Sequence, residues 1–181
     1  AALAAALRDA LARADVVVMS GGTSKGAGDV SHRVLGSLGS PGVVVHGVAL
    51  KPGKPLLLAV VGRTPVIVLP GFPTSAVFTF HEFAVPVIRA LAGLPAREEA
   101  EVTATLAVRT PSELGRTEYV MVSLAEGEDG GARAVPLGKG SGSVTAFSQA
   151  DGFFAIPALD EGAAAGEAVR VASGRQDLRN G

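Results

Sequence analysis

The 181-residue sequence has no cysteine and no tryptophan, and aromatic residues make up only 4% of it. Without cysteine there can be no disulfide, no thiolate metal site and no cysteine nucleophile. Neither sign of charge is in excess. Sixteen Lys and Arg against 17 Asp and Glu leave a formal net charge of −1, which argues against a general nucleic-acid binder, since these carry a basic surplus. Long hydrophobic runs are also missing. Apolar stretches such as residues 43–45 and 66–69 are strand-sized, whereas a membrane helix needs about 20 residues. No charged start followed by an apolar core and a cleavage site is visible. The expectation is a cytoplasmic protein with no nucleic-acid or membrane partner, since absent disulfides fit a reducing cytosol. What is present is apolar: 48% hydrophobic residues, 18% charged residues and a mean hydropathy of +0.38. Such a chain folds into packed structure rather than staying disordered.

The first half alternates helix and strand. Residues 1–13 carry Leu3, Leu7 and Leu11 at helical spacing. Residues 15–19 read as a buried strand that ends in a glycine loop over 20–28, and 29–38 as a short helix with Asp29 as its N-cap. Strands follow over 43–50, 56–61 and 65–69, with a turn at 51–55 and the last two joined around Gly62-Arg63. A long helix over 74–92 ends at Gly93, with Pro86 marking a kink or break. Continuous Val-rich strands between helices predict an α/β fold: a three-layer, mostly parallel sheet covered on both faces. After a short linker the pattern changes to strands alone, at 101–109, 117–124, 132–137, 144–148, 153–157 and 168–172. Short strands at regular spacing predict a small all-β, barrel-like domain. The expected division is residues 1–96 and 97–181.

Three loops fall at strand ends of the first half, where open sheets bind ligands. The loop Ser20-Gly21-Gly22-Thr23-Ser24-Lys25-Gly26-Ala27-Gly28-Asp29 permits close backbone approach and an anion-binding nest, with Asp29 as a hard oxygen ligand suited to Mg²⁺. The same stretch matches the G-x-S-x-G elbow of acyl hydrolases. In such an elbow, however, the serine turns directly into a helix, and here Gly26-Ala27-Gly28 intervene; nothing in the sequence fixes His32, His46 or His81 near Ser24. In Lys51-Pro52-Gly53-Lys54-Pro55 the central Pro-Gly predicts a type II turn whose flanking lysines lie within about 7 Å of each other. Two ammonium groups with no carboxylate between them would receive a dianion. On this reading, replacing either lysine by alanine weakens oxyanion binding while the domain stays folded. The third loop, Leu69-Pro70-Gly71-Phe72-Pro73-Thr74-Ser75, delivers a helix N-terminus, which favours an anion. Together the residues predict a site for a phosphorylated or oxyanionic ligand, with Mg²⁺.

These three motifs, in this order, resemble the molybdopterin molybdenumtransferase family, the MoeA and gephyrin E-domain group. Gly115-Arg116-Thr117-Glu118-Tyr119, Ser141-Gly142-Ser143 and Ala150-Asp151-Gly152 resemble that family's C-terminal β domain. The resemblance implies a molybdopterin-binding α/β domain lacking its first strand and helix, followed by the β domain. The implied function is molybdenum insertion into adenylylated molybdopterin, giving molybdenum cofactor and AMP. Asp29 would hold Mg²⁺. Ser24, Lys51, Lys54 and Ser75 would surround molybdate, with Pro55 shaping the pocket. Gly21, Gly22, Gly71 and Pro73 would let the pterin phosphate reach the backbone. The family's larger N-terminal domains, which supply part of the site across a homodimer interface, are absent, so the isolated chain would lack part of its active site. Family members commonly carry Asn where Phe72 stands and Val where Thr74 stands. Two other readings are a molybdopterin adenylyltransferase, which would lack Lys-Pro-Gly-Lys-Pro and the β domain, and a non-catalytic pterin-binding or scaffold module.

Overall fold

The computed structural model describes residues 2–21, 28–97, 100–127, 130–138 and 144–173. The elements of the first half are α1 (Ala2–Leu11), β1 (Val17–Ser20), α2 (Gly28–Leu38), β2 (Pro41–His46), β3 (Leu50–Lys51), β4 (Leu57–Val61), β5 (Thr64–Leu69) and α3 (Pro73–Thr79), followed by a π-helical turn (Phe80–Ala84) and α4 (Val85–Leu91). The second half contains β6 (Glu101–Leu106), β7 (Thr110–Pro111), β8 (Thr117–Glu126), β9 (Ala132–Pro136), α5 (Val144–Gln149), β10 (Gly152–Ile156), β11 (Gly162–Ala163) and β12 (Ala168–Ser173). The chain divides into two compact units. One is Ala1–Val48 with Gly53–Arg97; the other is Ala49–Pro52 with Glu98–Gly181.

The first unit has the expected α/β class and three layers. Alternation along β5 sends Val66 and Val68 to one face of the sheet, where they pack with Leu7 of α1 and Leu35 of α2. Ile67 and Leu69 point to the other face, against Ala84, Phe80 and Ile88. The strand directions differ from the expectation of a mostly parallel sheet. The order is β1-β5-β4-β2, and only β1–β5 is parallel; β5–β4 and β4–β2 are antiparallel. The two-residue link Gly62-Arg63 explains the first of these, because so short a connection can join only antiparallel neighbours. The strand expected over 43–50 also breaks. It leaves the ladder at Gly47 (φ +92°), and residues 50–51 continue as β3 in a different sheet.

The long second-half helix of this unit is interrupted as Pro86 requires. A proline removes one helical N–H, and its ring collides with the carbonyl four residues back. The π turn immediately ahead of α4 absorbs this, with the Val85 N–H donating to the Phe80 carbonyl. At the far end Gly93 (φ +67°) closes a Schellman motif. Its own N–H reaches the Ala90 carbonyl at 3.1 Å, and the Leu94 N–H reaches that of Arg89 at 2.9 Å.

In the second unit, β10, β12, β6, β9 and β8 form one sheet that a further β10–β8 pairing closes on itself, and β3 adds to the outer side of β8. This is the expected barrel. Its core holds Leu106, Val120, Val122, Phe154, Ile156 and Val171. One expected strand, residues 144–148, is instead the helix α5. Five residues of mixed Val, Thr, Ala, Phe and Ser cannot separate the two periodicities. In the helix Ala146 is buried and its neighbour Phe147 exposed.

Candidate functional site

Register places the loops of the first unit. Ser20 at the end of β1 pairs with Leu69 at the end of β5. Leu57, which opens the antiparallel β4, pairs with Val68 and with His46, the last residue of β2. The exits of β1, β5 and β2 and the entrance to β4 therefore share one sheet edge. Gly21, Pro70 to Phe72, and the Lys54-Pro55-Leu56 approach all lie there.

Backbones touch at this edge. The Gly21 N–H donates to the Leu69 carbonyl at 3.0 Å, and a Cβ on Gly71 would stand 3.7 Å from the Gly21 Cα. Gly21 has φ +86°, a conformation that side-chain-bearing residues rarely adopt. α3 begins with Pro73, and its N-cap, Phe72, makes no side-chain cap hydrogen bond. First-turn N–H groups have no intrahelical partner, and Phe72 offers those of α3 no side-chain acceptor. Lys54 is exposed, and Pro55 is half-buried. The Lys54 carbonyl accepts the Val48 N–H at 2.9 Å, which fixes the lysine's backbone. Gly71 and Pro73 are exposed while Ser75 is buried. Phe72 is 59% exposed, an aromatic face in the middle of this edge.

Gly22 and Ser24 lie outside the described residues. Asp29 falls one residue inside α2, which starts at Gly28, so it belongs to the first turn and is not the N-cap. His46 sits at the sheet edge and stacks on His32 of α2, with ring centroids 5.3 Å apart. His81 is instead engaged by Arg97 Nη1 through Nδ1 at 2.9 Å.

Thr74 is 2% exposed, and its Oγ1 has no hydrogen-bond partner among the described residues. A buried hydroxyl left unpaired costs about 1–3 kcal/mol. Thr74→Val keeps the shape and removes the polar atom. It should therefore raise stability by roughly 1 kcal/mol and the melting temperature by about 2–4 °C for a chain of this size. Unchanged melting in calorimetry would show that the hydroxyl is satisfied in solution.

The lysine motif departs from the expected turn. The Lys51–Pro52 peptide is cis, and Gly53 has φ +132°. The turn hydrogen bond runs from the Leu56 N–H to the Gly53 carbonyl at 3.2 Å. Lys51 and Lys54 are therefore not the two ends of a type II turn. Lys51 belongs to β3, which pairs in parallel with β8 so that Leu50 faces Thr117 and Lys51 faces Glu118. The Thr117 N–H donates to the Ala49 carbonyl at 3.0 Å and secures the pairing.

Nor is Lys51 without carboxylates. Its Nζ lies 3.5 Å from Glu113 Oε1 and 3.5 Å from Glu118 Oε2. Glu118 is 3% exposed, and its Oε2 accepts the Ser112 hydroxyl at 2.7 Å. The exposed Glu113 also bonds Arg116 through Oε2. Sequence reasoning noted Glu118 only as part of a β-domain motif. A buried, strand-borne glutamate beside a motif arginine was the available signal, but its pairing with Lys51 depends on a contact between distant segments.

Two family models match the chain. Residues 1–90 match the "Probable molybdopterin binding domain" and residues 103–173 the "MoeA C-terminal region (domain IV)". Among curated relatives, a molybdopterin molybdenumtransferase of Nostoc is 41% identical over 96 residues, covering 51% of this chain and 22% of the relative. One of Synechocystis is 32% identical over 155 residues, covering 84% of this chain and 36% of the relative. The crystal structure of a molybdopterin biosynthesis MoeA protein from Pyrococcus horikosii matches 94% of this chain and 40% of its own, with TM-score 0.75 and 37% identity. The chain thus spans about two fifths or less of these relatives' lengths. Over 94% of its length the chain shares the fold of that MoeA protein. The chain belongs to the molybdopterin molybdenumtransferase (MoeA) family, a family of transferases.

Proposed function

We propose that the chain forms part of an enzyme that inserts molybdenum into adenylylated molybdopterin, yielding molybdenum cofactor and AMP. The observation that carries this is the convergence of anion-compatible groups at one sheet edge of the first unit. Gly21 and Gly71 bring two backbones together without side chains, the N-cap Phe72 leaves the α3 N–H groups without a cap from its own side chain, and Lys54 adds a cation. Gly22, Ser24, Pro73 and Ser75 complete the proposed pterin and oxyanion contacts by their place in the same motifs. Lys51, Lys54 and Pro55 are the proposed molybdate contacts by their place in the Lys-Pro-Gly-Lys-Pro motif. Molybdate is a dianion, and its sulfur ligands come from the pterin dithiolene, so a chain without cysteine is adequate.

Among the described residues no group of three or more His, Cys, Asp or Glu converges. Mg²⁺ needs only one or two carboxylates when substrate phosphates complete its shell, so Asp29 is the proposed ligand, and the ion would neutralise pyrophosphate charge. Asp29→Asn keeps a residue of similar size but loses the anion. It should slow Mg²⁺-dependent AMP release in the full-length enzyme more than it weakens molybdate binding. AMP release at the wild-type rate would make Asp29 structural.

The direct test of the oxyanion reading is titration calorimetry of molybdate or tungstate against this chain and its Lys54→Ala variant. Lys54 is exposed and has no ion pair among the described residues, so the substitution should not disturb the fold. One charge-assisted contact is worth about 1.5–3 kcal/mol, which corresponds to a roughly 10- to 150-fold loss of affinity. Equal affinity in both proteins would remove Lys54 from the site.

A further inference from the structure

Lys51 stands between two carboxylates with unlike surroundings. Glu113 is in the loop between β7 and β8, its side chain is 61% exposed, and it is shared with Arg116. Glu118 is buried on β8, and its backbone is paired on both sides, with Lys51 of β3 and with Ile156 of β10. The Ser112 hydroxyl donates to the same Oε2 that faces Lys51, and Ser112 is itself tied by its N–H to the Glu161 carbonyl at 2.8 Å. A carboxylate held this way cannot swing into water. A buried charge is tolerated when paired and hydrogen-bonded, and Lys51 and Ser112 meet both conditions. Exposed ion pairs such as Lys51–Glu113 are weak and readily exchanged.

We propose that Glu118 is the positioning residue of Lys51, the fixed counter-charge that holds the ammonium group in one place while the exposed Glu113 gives way to an incoming oxyanion. This rests on the reading of Lys51 as an oxyanion contact. A lysine stem has many rotamers, and a group that must meet a small anion at a set position gains from having them restricted beforehand. Glu118 supplies that restriction from the side away from solvent, so Lys51 can remain 34% exposed and still be ordered.

The test is nuclear relaxation of the lysine ammonium nitrogens in this 181-residue chain, with Lys54 as the internal reference for a solvated lysine. In the wild type, Lys51 should have at least about twice the order parameter of Lys54. Glu118→Gln should bring Lys51 down to the Lys54 value, whereas Glu113→Gln should leave it ordered. Should Glu118→Gln not fold, the wild-type comparison decides alone. A Lys51 as mobile as Lys54, or a Lys51 equally ordered in a folded Glu118→Gln chain, overturns the proposal. Added molybdate separates the two readings. If the Lys51 signal is ordered but does not move with molybdate, the oxyanion assignment fails and the positioning by Glu118 stands.

Discussion

Gly152→Val should cost the barrel at least about 3 kcal/mol, at the severe end for a single substitution, as measured by urea denaturation. Gly152 opens β10 at the point where the barrel closes, pairing with Ser173 of β12 on one side and Val122 of β8 on the other. A Cβ there would collide with the Ala172 carbonyl oxygen and stand 2.8 Å from Val171 Cγ1 and 3.2 Å from the Ala172 carbonyl carbon. The collision is with backbone in a ladder, which has nowhere to retreat. Glycine in a strand interior commonly marks such a close approach. The residue before it does related work: Asp151 Oδ2 accepts the Leu124 N–H at 2.9 Å, and the Asp151 N–H reaches the Val122 carbonyl at 2.9 Å. The Ala150-Asp151-Gly152 motif thus serves barrel closure in this chain. A valine variant with the wild-type unfolding midpoint would show that β10 and β12 separate more easily than their register implies.

Lys51→Met should destabilise the chain by roughly 3 kcal/mol, because it takes the ion-pair partner away from the buried Glu118 carboxylate. This differs from the sequence-based expectation that either lysine can be removed without affecting folding. The difference arises from Glu118, a buried carboxylate that loses its ammonium counter-charge when Lys51 is replaced. The pair is only part-buried on the lysine side, so water recovers some of the loss. The decisive measurement is a double-mutant cycle. Lys51→Met with Glu118→Met should cost well below the sum of the single changes, since apolar replacements of a buried pair can be nearly neutral. Strict additivity would show that the two charges do not interact. The same reasoning makes Lys54→Ala the cleaner probe of oxyanion binding.

Most of the α/β half was legible. Leu3, Leu7 and Leu11 at helical spacing, the Val-rich strands and the Gly21, Gly71 and Gly93 punctuation are local signals, and each reports on its own few residues. The break at Pro86 was legible for the same reason, because the missing N–H and the ring clash are properties of proline itself. So was the loop that carries Gly71, since a glycine or a proline acts on the backbone beside it.

Strand direction was less legible. Period-2 alternation is the same in parallel and antiparallel strands, so β4 and β2 looked like members of a parallel sheet. Only the short Gly62-Arg63 link carried the contrary information. Residues 144–148 failed differently: the run is too short for either periodicity to declare itself, and the burial of Ala146 was decided by what packs on it.

Composition, periodicity and the glycine and proline positions settle most segments as helix or strand and where the backbone breaks between them, because those preferences arise within a few neighbouring residues. Tertiary structure alone assigns Ala49–Pro52 to the second unit, gives Lys51 its two carboxylates and leaves the Thr74 hydroxyl without a partner among the described residues. Each of these depends on the distance between groups remote in the chain. Coulomb attraction, desolvation and hydrogen bonding act through that distance, and no local pattern of residues encodes it.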